Sequence, residues 1–118
     1  LLKRINAMES SINKIVIHER TAALNTQGID CYTQKKYEQA VTIFEEAASD
    51  DEASVSVLMN AIQAKISLME NRKVDNRHLQ DCQSYFKRIG LIPESDDRFE
   101  RYERLRNTYI KLKTNIPV

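Results

Sequence analysis

A chain of 118 residues has room for one modest core and is small for an enzyme built round a deep cleft. Glycine and proline occur only twice each, too few for the turns of a sandwich or barrel, so the expected class is all-α. A net charge of +1 supplies no global basic field for nucleic acid, and no apolar run approaches the ~20 residues of a membrane-spanning helix.

Residues 1–20 contain no glycine or proline, and Leu1, Ile5, Met8, Ile12 and Ile15 follow a 4-3-4-3 spacing that forms one helix stripe. The stripe fits either intrachain packing or the seam of a homodimer through Ile5, Met8, Ile12 and Ile15. Nothing stops this helix before Gln34. Leu1 opens mid-pattern without a Met, so the sequence is expected to be a piece of something longer.

The next stretch, 21–52, reads as a helical hairpin. Gly28 lies inside its first helix, where glycine costs ~1 kcal/mol against alanine and signals a close backbone neighbour. Tyr37 begins the second helix, with Ala40, Phe44 and Ala47 on one face at i, i+4, i+7. Ser49-Asp50-Asp51 is a candidate cap for the third helix. Residues 53–94 hold that third helix, apolar on two sides and therefore expected between layers, and a fourth with Leu79, Cys82, Phe86 and Ile89 inward. Asp75 or Asn76 caps the fourth helix, and Gly90 and Pro93 end it. Residues 95–114 form a capping helix, with Ser95-Asp96-Asp97 at its start and Pro117 beyond its end.

Charge is uneven along the chain. Residues 38–70 hold seven acids against the single base Lys65, whereas 85–118 hold eight bases against five acids. Cys31 and Cys82 form no CxxC pair, and buried thiols in a reducing, cytoplasmic compartment are expected. His18 and His78 stand alone on polar stretches and read as surface residues. Asp50-Asp51-Glu52 and Asp96-Asp97 lack calcium-loop spacing, and there is no phosphate-binding glycine loop. No catalytic site, metal or cofactor is expected. Nucleic acid remains the alternative from a different class. Arg98, Arg101, Arg104 and Arg106 lie beside Tyr102 and Tyr109 on the last helix, but acids interrupt the stripe.

Two helical pairs echo one another. Ala61-x2-Ala64 mirrors Gly28-x2-Cys31, and Cys82-x3-Phe86-x2-Ile89 mirrors Ala40-x3-Phe44-x2-Ala47. The pattern resembles the tetratricopeptide repeat, of about 34 residues, in Gly28, Tyr37, Ala40 and Phe44. Leu24 stands for its Trp, Cys31 for its Tyr, Gln27 for its Leu and Glu52 for its Pro. The resemblance implies antiparallel hairpins, five to six helices in all, forming a fragment of a right-handed superhelix with capping helices at both ends. It also implies a non-catalytic module that binds a protein or peptide, such as an amphipathic helix, in a groove. Matching helix faces would place Asn25, Ile29, Tyr32, Leu58, Ile62 and Lys65 along that groove, which is filled either by another helix of the same chain or by an amphipathic partner helix. Ile29 stands where a carboxylate-clamping Asn would be, so a terminal-carboxylate clamp is not expected. The opening LLKRINAMES also resembles the exit from a bacterial receiver domain, which would make the chain the output region of a two-component response regulator.

Overall fold

The computed structural model describes residues 2–115, so Leu1 of the first stripe and Pro117 lie outside the described residues. Among the described residues five helices run in order: α1 (Leu2–Thr33), α2 (Tyr37–Ala48), α3 (Val55–Asn71), α4 (Asn76–Ile89) and α5 (Phe99–Thr114). They pack as sequential hairpins, and no strand occurs among the described residues. The N-terminal helix and the first helix of the hairpin are one continuous helix. At ~1.5 Å per residue, its 32 residues run for ~48 Å. It stops where Lys35 takes a positive φ of 61° and the Lys36 amide bonds back to the Cys31 carbonyl.

Only the second half of α1 joins the core. Its covered positions, Thr21, Leu24, Asn25, Gly28, Cys31 and Tyr32, begin at residue 21 and recur at helical spacing. A Cβ built at Gly28 would stand 2.5 Å from the Phe44 ring, so this crossing of α1 over α2 has no room for a side chain. Ala40, Phe44 and Ala47 are buried on the α2 face that meets it, and Tyr37 is half-buried.

Helix α3 is the central element and touches all four others. Its two apolar sides feed two clusters. Leu58, Ala61, Ala64 and Leu68 pack with Ala40, Val41, Phe44 and Ala48 of α2. Met59, Ile62, Ile66 and Met69 pack with Leu79, Cys82, Tyr102, Leu105 and Tyr109 of α4 and α5, with Phe86 partly buried against them. Phe86 anchors this second cluster through ring contacts at 5.7 Å to Tyr102 and 5.4 Å to Tyr109. Burial pushes the Cys82 thiol up to about 12, which keeps it an inert apolar group. Cys31 is half-buried and Cys82 fully so.

Two of the expected caps lie elsewhere. Ser54, not Ser49-Asp50-Asp51, caps α3 by accepting from the Val57 amide at 3.2 Å. Asp50 instead holds the preceding turn through the Glu52 amide, a bond that lowers its carboxyl below the ordinary carboxylate value. Asp96 likewise organises the turn before α5, three residues ahead of Phe99, accepting from the backbone and guanidinium of Arg98. Asp75 caps α4 from both the Arg77 and the His78 amides.

Candidate protein-interaction site

The first helices of successive pairs, α1 and α3, stand side by side with α5 beyond them, and a polar network ties the three together. Tyr32 Oη meets Ser67 Oγ at 2.8 Å and accepts from Gln63 at 3.1 Å. Asn60 donates to Asn25 at 2.8 Å. Arg101 of α5 reaches across to Asn60 at 2.7 Å and to Gln63 at 3.0 Å. Burial pushes the Arg101 guanidinium below its ordinary value, while the nearby Tyr32 hydroxyl opposes the shift. Above this network lies a cleft of about 210 Å³ lined by Ile29, Tyr32, Phe44, Asn60, Gln63 and Arg101. Ile29 is 42% exposed at its mouth.

Asn25, Ile29 and Tyr32 therefore lie on the accessible side of α1. Leu58, Ile62 and Lys65 do not line the groove. Leu58 belongs to the cluster against α2, Ile62 to the cluster against α4 and α5, and Lys65 is completely buried. The groove face of α3 carries Asn60, Gln63 and Ser67 instead. Gln63 lies one residue, about 100° of helix rotation, from Ile62. The sequence signal for this face is the spacing of three polar residues, Asn60, Gln63 and Ser67, at i, i+3, i+7.

Behind the groove, Lys65 makes a second constellation. Its ammonium donates to Glu45 Oε1 at 2.7 Å, to His78 Nδ1 at 3.0 Å and to Asp81 Oδ2 at 3.1 Å. Three donors meet three acceptors drawn from α2 and α4, and Arg77 closes the outside at 3.5 Å from Glu45. The ligand-type atoms of Glu45, His78 and Asp81 lie within 4.8 Å of one another, a spacing a cation could use. Here the Lys65 ammonium is the cation they share. His78 is thus a half-buried member of a charge cluster rather than a lone surface residue. Burial, reinforced by Lys65, holds its imidazole below the ordinary value.

Several other charged residues are paired within the chain. His18 lies 3.2 Å from Asp50 and 3.0 Å from Glu52, and Arg20 bonds Glu46 beside them. On the last helix, Tyr102 and Tyr109 are core residues, Arg101 is committed to Gln63 and Asn60, and Arg98 to Asp96. The alternative arginine–tyrosine surface is consequently not formed, because its rings face Phe86 rather than solvent. Among the described residues no helix is long and apolar enough to cross a membrane.

Stacked helical pairs with a partly open groove define a helical-repeat protein of the tetratricopeptide-like kind. The profile of the coatomer epsilon subunit family matches residues 14–110, most of the chain, and the protein belongs to that family. The family consists of non-catalytic coat components. No single characterised protein and no solved structure shows a match to the chain.

Proposed function

We propose that this chain is a protein-interaction module of a coat, holding another coatomer subunit through the α1–α3–α5 groove. Family membership supports the class of partner. One observation carries the choice of surface. Ile29 is an exposed β-branched residue on a helix whose polar neighbours Asn25 and Tyr32 are already fixed by Asn60, Ser67 and Gln63. A prearranged floor with one apolar anchor suits a partner helix or strand segment, since little ordering remains to be done on binding. A cytoplasmic setting accompanies this reading. Placement as the output region of a response regulator has no support in the family comparison.

The test is Ile29→Glu, titrated by calorimetry against purified coatomer subunits. Because Ile29 is outside both core clusters, the melting temperature should stay within a few degrees while affinity falls at least ~30-fold, about 2 kcal/mol for an interface anchor. Unchanged affinity for every subunit would remove the groove from the interface.

A second surface is favoured by the first half of α1. Ile5, Met8, Ile12 and Ile15 are between 47% and 65% exposed, an uncovered apolar stripe on one helix. We read it as a pairing seam for a second copy of the chain. In a parallel two-stranded arrangement Ile5 and Ile12 take the a positions, and Met8 and Ile15 the d positions. Arg4 of one copy then falls opposite Glu9 of the other, an attractive g-to-e pair.

A further inference from the structure

A groove of about 700 Å³ is lined by α4, the segment that follows it and α5. Its floor is apolar: the edges of Phe86, Tyr102 and Tyr109, with Leu91 and Ile110 at the rim. Leu91 is 96% exposed and Ile110 is 44% exposed. Every charge in the lining is positive, from Lys87, Arg106 and Lys113, and no acid contributes to it.

These three cations differ from several others on the surface. Arg20, Arg72, Arg77 and Arg98 each have a carboxylate partner within the chain, whereas no ion pair or hydrogen bond among the described side chains involves Lys87, Arg106 or Lys113. Unpaired like charges around an apolar trough raise the potential there and are left uncompensated unless a partner supplies acids.

We propose that the α4–α5 groove docks an acidic amphipathic helix of another polypeptide, its leucine-type side chains on Phe86, Leu91 and Ile110 and its carboxylates over Lys87, Arg106 and Lys113. The dimensions agree. From Tyr102 to Thr114 the groove follows α5 for ~18 Å, the length of about twelve helical residues. Helix-in-groove recognition takes anchors at i, i+3, i+4 and i+7, and the trough offers apolar contacts along both walls. A nucleic acid is disfavoured as occupant because the rings of Tyr102 and Tyr109 are buried against Phe86 and present no free face for stacking. The inference rests on reading the chain as an interaction module, and it adds a second, chemically distinct docking site to the Ile29 groove.

The experiment uses the whole 118-residue chain and a fluorescein-labelled peptide of about 14 residues, with leucines at i, i+3, i+4, i+7 flanked by glutamates. Fluorescence anisotropy should show saturable binding that weakens as salt rises, and about tenfold or greater preference over the same peptide with every glutamate replaced by lysine. Leu91→Asp and Arg106→Glu should each weaken it about tenfold or more, with melting temperatures unchanged because both side chains are exposed. Ile29→Glu should bind the peptide like the parent chain. Equal affinity for the lysine peptide would overturn the proposal, as would indifference to both substitutions. Tighter binding of phosphatidylserine vesicles or of a single-stranded oligonucleotide, lost in the same variants, would reassign the groove to another class of partner. Loss of the peptide in Ile29→Glu but not in Leu91→Asp would overturn this groove while leaving the first interface standing.

Discussion

Lys65 shows how one residue can tie three helices together and also set a pH response. Its ammonium is fully desolvated, so its three bonds to Glu45, His78 and Asp81 are what make its burial tolerable. His78 serves as an acceptor through Nδ1, which requires the neutral imidazole with its proton on Nε2. It faces Lys65 from α3, Glu45 from α2, Arg77 and Asp81 on its own helix, and Asp75 at that helix's N-cap. Burial first and Lys65 second lower its value from 6.5, while Asp75 and Glu45 pull the other way. In the unfolded chain His78 takes its proton near 6.5, but in the folded chain only at lower pH. Below 6.5 the unfolded state therefore holds more protons, so this part of the stability is complete above 6.5 and is lost as pH falls toward the folded value. Thermal melts should be flat from about pH 8 to 7 and decline toward about pH 5. The lowered carboxyls of Asp50, Asp75 and Asp96 add their losses further down, below about pH 4. Lys65→Met should raise the His78 midpoint in an NMR titration and cost about 3 kcal/mol, the low end for a broken buried pair because Glu45 and Asp81 keep about a third of their exposure. An unmoved His78 midpoint would show that Lys65 does not act on it. None of this cluster is legible in the sequence. Glu45, Lys65 and His78 are far apart along the chain, and only the odd position of one lysine in an apolar helix hints at it.

At the scale of the elements, what can be read depends on how many faces a helix buries. Helix α2 buries one face, and its Ala40, Phe44 and Ala47 spacing locates that face directly. Helix α3 buries two, so apolar residues no longer mark a single direction. Matching of helix faces accordingly points the groove at Leu58 and Ile62, which are core, instead of at Asn60, Gln63 and Ser67. In such a helix the polar residues carry the information about the open side. The first half of α1 is the opposite case: its stripe is plain in sequence, and the single chain leaves it uncovered. A seam of only two heptads of isoleucine and methionine would be weak, and one charge at an a position would disrupt it. Ile12→Asp should therefore shift a concentration-dependent mass in sedimentation to that of the monomer, with the thermal melt of the remaining helices unchanged, since Ile12 belongs to neither core cluster. A parent chain that sediments as a monomer at all concentrations would dispose of the seam.

Across the whole molecule, cohesion falls from the centre outward. The two clusters meet at α3, and Tyr85 and Ile89 of α4 pack against both. Cluster residues on opposite sides of one helix cannot be freed independently, because releasing either side exposes half of α3. Arg88 adds a clasp between distant parts of the chain, donating to the Ala48 carbonyl at 2.7 Å and the Asp50 carbonyl at 2.9 Å where α2 ends. By contrast, residues 3–20 of α1 are exposed throughout, giving the molecule its 60 Å long dimension. An isolated helix of that length is marginal in water. Amide hydrogen exchange on the monomeric Ile12→Asp chain should therefore be graded. Amides of Met59 to Ile66 should open only with global unfolding, those of Thr21 to Tyr32 at intermediate rates, and those before Val16 by local fraying, fastest of all. The same experiment on the parent chain separates two sources of order in α1. If residues before Val16 become protected as concentration rises, a second copy supplies the cover that this chain lacks. Protection equal to that of α3 in the Ile12→Asp monomer would mean that the long helix is held by contacts within the chain, and the graded picture would be wrong.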